Sequence, residues 1–272
     1  MAPDPFRIRD HVGDFDAIVA DIRARSQAAC ANLPMETHIA YGSDPTETLD
    51  LFFPAGARAN LPVHVFIHGG YWRMFSKRDY SYVAETVTRA GAIAVIVDYA
   101  LMPAVRMSTI VDQVRRAKRW VIDHIAEHGG HPGRLTVSGH SAGAHLATFL
   151  FNETETPSGI RGALLLGGLY ELKPLQSSFL REEIAITDAE VAAFSPATHG
   201  HDRSTAVNIL VGAEETAPFH HQADTFASQL RGQRVAVSRC DLVGRNHMSS
   251  VRDLGIAGSA AARHLAALIE AR

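Results

Sequence analysis

Apolar residues along this chain gather in short unbroken runs separated by stretches with helical spacing. Residues 48–53, 63–67, 92–97, 135–137, 163–166, 208–211 and 235–242 form the runs, and the inner ones are almost continuously aliphatic. Runs this short, with little polar alternation, predict strands of a parallel sheet buried on both faces. Between them, residues 79–90, 108–128, 142–151 and 219–231 carry helical patterning. Residues 14–32 predict an N-terminal helix and residues 258–272 a closing one. Strand and helix alternating in this way predict an α/β architecture, a mostly parallel twisted sheet with helices on both faces. Residues 170–200 break the rhythm with scattered apolar and acidic residues, and read as a small cap-like insertion. No repeat or low-complexity segment interrupts the pattern, so residues 1–272 are expected to form a single domain.

Composition narrows the picture. At 46% hydrophobic residues the chain can bury the large core that a sheet covered on both faces requires. A net charge of −3 gives no electrostatic footprint for nucleic acid or an anionic membrane. The longest apolar run, residues 92–97, is far too short to cross a bilayer. Residues 1–7 contain no apolar core of a signal peptide, so a cytoplasmic location is expected. Cys30 and Cys240 are far apart and share no spacing motif, which predicts free, buried thiols in a reducing compartment.

The chemistry concentrates in two motifs. Gly139-His140-Ser141-Ala142-Gly143 reads G-x-S-x-G, with a strand pattern before it and helical character after it. A serine on a sharp strand-to-helix turn is a nucleophile elbow: the turn lifts its hydroxyl out of the sheet, and the helix start offers an N–H to a developing oxyanion. Upstream, the strand pattern at residues 63–67 runs straight into His68-Gly69-Gly70-Tyr71-Trp72. A glycine-rich loop at that place supplies further oxyanion amides in esterases and lipases built on such an elbow. His68 precedes the nucleophile, against the chain order serine, acid, histidine, and so reads as a structural residue of the loop.

That order directs the search for the base and the acid. His247 follows the last predicted strand and is the candidate base. The strand at 208–211 is followed by Gly212-Ala213-Glu214-Glu215, and position alone leaves Glu214 and Glu215 both open as the orienting acid. Other patterns carry less. His124-Ile125-Ala126-Glu127-His128 fits the H-x-x-E-H zinc signature, but Gly129-Gly130 follows at once, placing both histidines in a last helical turn. Arg115, Arg116, Lys118 and Arg119 read as a solvated helix face, with Asp112–Arg116 and Arg119–Asp123 as i,i+4 pairs. His199, His201, His220 and His221 read as surface residues.

These motifs resemble those of the arylformamidases (kynurenine formamidases) and their esterase relatives in the hormone-sensitive-lipase-like branch of the α/β-hydrolases. The resemblance rests on His68-Gly69-Gly70-Tyr71-Trp72, on residues 139–147, on Tyr41-Gly42 with Leu49-Asp50-Leu51 and Pro54, and on Leu169–Leu175 with Ser195-Pro196. It spans roughly residues 38–255, and the first 35 residues are least characteristic. It implies the α/β-hydrolase fold, with the insertion at 170–200 following the sixth strand. The family's spacing from Gly212 and to Phe219 implies Glu215 as the acid, although aspartate is usual there. The resemblance further implies oxyanion donors at Gly70, Tyr71 and Ala142. A pocket for an aryl leaving group would draw on Tyr71, Trp72, Phe75, Tyr170 and Phe179. The expected activity is cleavage of an aryl formamide such as N-formyl-L-kynurenine by a Ser141–His247–Glu215 triad, needing no metal or cofactor. A carboxylesterase or amidase of small acyl groups is the alternative, and a non-catalytic binding protein on the same fold a second. The expected partner is a small-molecule substrate, with no nucleic acid and no membrane, and a homodimer is left open.

Overall fold

A computed structural model of the chain describes residues 3–56, 59–152 and 157–271. Eight strands form one sheet: β1 (Met35–Ala40), β2 (Thr48–Phe52), β3 (Leu61–Ile67), β4 (Ile93–Val97), β5 (Gly130–His140), β6 (Ile160–Leu166), β7 (Ala206–Gly212) and β8 (Val237–Leu242). Their order is β1-β2-β4-β3-β5-β6-β7-β8. The β1–β2 and β2–β4 pairs are antiparallel and all others are parallel. The predicted α/β class and α/β-hydrolase fold are what the structure has. The five residues of β4 are all buried, as helices on both faces require.

The register matters for function. Ile67 at the end of β3 sits beside Gly139 near the end of β5, and Gly212 of β7 sits beside Leu242 of β8. The loops carrying the two motifs therefore leave adjacent strands at one level, and those carrying Glu215 and His247 leave a second adjacent pair. Ligands of open α/β sheets bind at these carboxyl ends.

Several elements differ from expectation. Strand β1 has no apolar run, because it is a half-exposed edge strand bulged between Glu36 and Ile39. Strand β5 starts at Gly130, since Gly130 pairs with Leu61 despite the turn-like residues that follow. The helix expected at 79–90 is broken into Lys77–Tyr80, a 3-10 turn and Ala84–Arg89, and begins at Ser76 with a capping box to Asp79. The closing helix is Ala260–Glu270, and Arg272 lies outside the described residues. Between β6 and β7 lie two short helices, Leu180–Glu183 and Asp188–Phe194. Arg106 ties them down, bonding to the Ile184 carbonyl at 3.0 Å and pairing with Glu190. Both cysteines are free, but Cys30 is exposed and Cys240 half-buried, correcting the expectation of buried thiols. No helix among the described residues is long and apolar enough to cross a membrane.

Three buried histidines make stability acid-sensitive. His64 on β3 is fully buried between Thr136 Oγ1 at 2.8 Å and Ser138 Oγ at 2.6 Å on β5. Burial pushes its pKa down to about 3, and those of His145 and His201 down to about 4. His201 packs on Phe151 and Phe226, so it is not the surface residue its neighbours suggested. A histidine that is neutral when folded and titrates near 6.5 when unfolded binds more protons in the unfolded state. Stability from all three is thus complete above pH 6.5 and drains away as pH falls toward 4. Urea unfolding at pH 7 and pH 5 should differ by about 2 kcal/mol for each of the three. Equal midpoints at the two pH values would contradict neutral burial.

Candidate active site

The turn predicted as a nucleophile elbow forms where β5 ends and the helix Ala142–Thr148 begins. Ser141 sits at φ 54°, ψ −118°, a strained conformation for a residue with a side chain. The Ser141 N–H donates to the Leu166 carbonyl of β6 at 2.8 Å, which holds the turn against the sheet. A Cβ on Gly143 would lie 2.1 Å from the Ile67 carbonyl oxygen, so only glycine lets the helix start this close to β3. Among the described residues Ser141 Oγ has no hydrogen-bond partner, and it faces a cavity.

The second motif wraps over the elbow from β3. His68 is buried, its ring stacked 4.3 Å from that of Tyr99 and its Nδ1 bonded to the Gly69 carbonyl at 2.8 Å. The Tyr99 hydroxyl donates to the His68 carbonyl at 2.8 Å. Burial pushes the His68 pKa down, and the residue serves the loop as expected. Gly70, Tyr71 and Trp72 follow with φ of 108°, 55° and 58°, a left-handed run that turns the backbone over Ser141. The N–H groups of Gly70, Tyr71 and Ala142 have no acceptor among the described residues. Three free amides beside one serine are what a developing oxyanion needs.

From the other strand pair come His247 and Glu215. His247 Nδ1 lies 2.6 Å from Glu215 Oε2, and Glu215 Oε1 accepts from the Gly212 N–H at 2.9 Å. Both side chains are almost wholly buried. Glu214 is exposed, and its N–H bonds to the Arg245 carbonyl. His247 opens the short helix His247–Arg252 instead of lying in a loop, because Asn246 caps the N–H groups of Met248 and Ser249. Two residues about this pair escaped the sequence reading. A Cβ on Gly167 would lie 3.0 Å from His247 Nδ1 and 3.1 Å from Glu215 Oε1, so its bare backbone leaves room for the pair. The His140 ring packs tilted at 4.5 Å from that of His247, and its Nε2 bonds to the His247 carbonyl at 3.1 Å. A glycine after β6 and a histidine before the serine were the only signals.

Ser141 and His247 line one cavity of about 300 Å³, part of it open to solvent. Gly70, Tyr71, Met74, Phe75, Tyr80, His140 and Met248 form its floor and sides, and Ile8 and Phe15 close it from the N-terminal segment. Of the aromatic candidates, Tyr71 and Phe75 line it, and Phe179 stands edge-on to Tyr71 at 5.2 Å. Trp72 does not: its ring is fully buried, and Nε1 donates to His145 Nδ1 at 3.2 Å. Tyr170 also lies elsewhere, stacked 4.2 Å from Phe226 beside a separate cavity. Ile8 and Phe15 were invisible in sequence, being single apolar residues in a polar stretch.

Other candidates are scattered. His128 pairs with Glu36 at 2.8 Å and His124 with Glu127 at 3.4 Å. Among the described residues no group of three His, Cys, Asp or Glu side chains could hold a metal ion. Arg116 pairs with Glu47 across the fold and Lys118 reaches the Leu150 carbonyl, while Arg115 pairs within the helix with Asp112 at 3.9 Å, so the basic helix face is tied both to its neighbours and to itself.

Comparison with known proteins gives a consistent picture. The profile of a family described as alpha/beta hydrolase fold matches residues 64–249. The chain is 28% identical to a kynurenine formamidase of Danio rerio over 225 residues, covering 79% of this chain and 75% of that one. It is 25% identical to the esterase LipQ of Mycobacterium tuberculosis over 239 residues, covering 74% and 57%. A crystal structure from Silicibacter sp. TM1040, provisionally described as a thioesterase, superimposes with a TM-score of 0.86. It is 24% identical and covers 99% of this chain and 98% of that one.

Proposed function

Since the chain belongs to the alpha/beta hydrolase fold family and resembles its kynurenine formamidases, we propose that it cleaves an aryl formamide such as N-formyl-L-kynurenine, with Ser141, His247 and Glu215 as its triad. The observation that carries it is the His247–Glu215 contact at 2.6 Å, with His247 lining the same cavity as Ser141, Gly70 and Tyr71.

Ser141 Oγ attacks the formyl carbon while its proton passes to His247 Nε2. Glu215 holds the imidazole with its proton on Nδ1 and offsets the charge of the cation that forms. The Gly70, Tyr71 and Ala142 amides receive the oxyanion, and each such donor is typically worth about 3–4 kcal/mol in the transition state. Collapse of the tetrahedral intermediate breaks the C–N bond, and His247 returns the proton to the departing arylamine. Water, deprotonated by His247, then attacks the formyl-serine and releases formate. A formyl group is the smallest acyl group, and the confined space beside Met74 and Phe75 suits it.

Esterase activity on short acyl groups is the second reading, favoured by the cavity's apolar walls and the likeness to LipQ. The two separate on kcat/KM for N-formyl-L-kynurenine against p-nitrophenyl acetate. At least a tenfold preference for the formamide is expected, and the reverse ratio would make the esterase reading the better one. A fluorophosphonate that fails to label Ser141 would leave only a binding role.

A further inference from the structure

The residue whose amide is read as an oxyanion donor also grips the segment that roofs the site. The Tyr71 hydroxyl donates to the Phe6 carbonyl at 2.9 Å and accepts from the Ile8 N–H at 3.1 Å. One hydroxyl thereby grips both backbone groups, which also bond each other at 3.0 Å, and burial raises its pKa, keeping the proton that the first bond needs. Residues 4–16 are anchored at two further places. Asp4 Oδ2 accepts from the Phe179 N–H at 2.5 Å in the insertion, and the Thr216 hydroxyl donates to the Pro5 carbonyl at 2.7 Å beside Glu215. The Phe6 ring meets Phe219 edge-on at 6.0 Å, and Phe219 in turn packs 4.6 Å from the His247 ring.

We propose that the Tyr71 hydroxyl is a latch: a positioning group that holds the N-terminal segment closed over the cavity and, through the same side chain, holds the Tyr71 amide in line with Ser141. The proposal rests on the serine-hydrolase reading of the site. The physical need comes from the backbone. Tyr71 is held at φ 55° and Trp72 at φ 58°, conformations that side-chain-bearing residues adopt only when their surroundings impose them. Trp72 is fixed in the core by His145, but Tyr71 is only partly buried. The Arg73 and Met74 N–H groups bond the Gly70 carbonyl at 3.0 Å on either side of it, and its side chain is restrained by the Phe179 ring and the two backbone bonds at its hydroxyl. Releasing the hydroxyl frees Ile8 from the cavity wall and lets the amide leave its strained pose. Closure of the roof and completion of the oxyanion site are therefore a single event. A bound group large enough to push Ile8 outward works against the same two bonds, so the latch also sets which leaving groups react fast.

Tyr71→Phe tests this, because it keeps the ring, the amide and the backbone and removes only the hydroxyl. On p-nitrophenyl acetate or N-formyl-L-kynurenine, kcat should fall about tenfold, the scale of one or two ordinary hydrogen bonds, with KM changed less than about threefold. The inhibition constant of phenylboronic acid, which mimics the tetrahedral intermediate, should rise by the same factor. Deuterium exchange at residues 5–12 should quicken. Thr216→Val loosens the same segment at its other end without touching Tyr71, and should leave kcat within about twofold. The latch is overturned if Tyr71→Phe keeps wild-type kcat, if it only lowers the melting temperature, or if Thr216→Val loses as much activity. The exchange measurement needs no turnover. Wild-type protein that is inert to fluorophosphonate would therefore sink the hydrolase reading, while unchanged exchange in Tyr71→Phe would sink the latch.

Discussion

Ser141→Ala should fold as the parent does and lose about four orders of magnitude in kcat/KM on whichever ester or formamide the parent turns over. The substitution is clean at this position. Alanine keeps the Cβ that Ser141 already carries at φ 54°, and it keeps the backbone bond to the Leu166 carbonyl. Melting temperature should stay within a few degrees, so lost activity cannot be assigned to lost fold. The hydroxyl itself has no hydrogen-bond partner among the described residues, and its removal leaves no buried group unsatisfied. The residual rate would come from the free amides of Gly70, Tyr71 and Ala142 and from binding alone. Steady-state kinetics, with mass spectrometry of a fluorophosphonate adduct on the parent, check both halves. Near-normal turnover by a folded, contaminant-free sample would remove Ser141 from the mechanism.

Glu215→Gln should lower kcat by about two to four orders of magnitude, and Glu214→Gln should leave it almost unchanged. Glutamine has the size of glutamate and can still accept from the Gly212 N–H through its carbonyl oxygen. What it loses is the negative charge 2.6 Å from His247 Nδ1, buried where water cannot replace it. Its amide can also turn an N–H toward the imidazole and select the wrong tautomer. Glu214 is exposed, and among the described residues it is held only through its backbone. Parallel kinetics on the two variants decide the matter. If Glu214→Gln is the damaged one, the assignment of the acid is wrong.

How much of this was legible in the sequence depends on the range of the interaction. Buried parallel strands leave a local record, since β3, β4 and β7 must be apolar on both faces, and residues 63–67, 92–97 and 208–211 show it directly. The elbow motif is also local: Gly139, Ser141 and Gly143 lie within five residues and Gly139 is packed against Gly143 itself, although the contact that demands Gly143 comes from Ile67 on β3, far upstream. Strand β1 left no such record, because half of it faces water and a bulge shifts its alternation. Spacing pointed to Glu215, but only side-chain geometry separates it from Glu214, since adjacent residues on a loop differ in direction rather than in place. The cavity wall was least legible. Ile8 and Phe15 matter through residues far along the chain, and Trp72 is taken up by His145, a partner 73 positions away.

The anchoring of residues 4–16 has a consequence for biosynthesis. These residues leave the ribosome before everything they dock on, which arrives in order: Tyr71, then Phe179, then Thr216 and Phe219. The bond from Thr216 to Pro5 spans 211 positions, so its loop can close only when most of the chain exists. Until then the nascent chain carries Phe6 and Ile8 without the surfaces that bury them, apolar groups of the kind chaperones hold. A segment synthesised before all of its partners is thus among the last to find its place, and a ribosome-bound chain has a sheet and an elbow before it has a closed site.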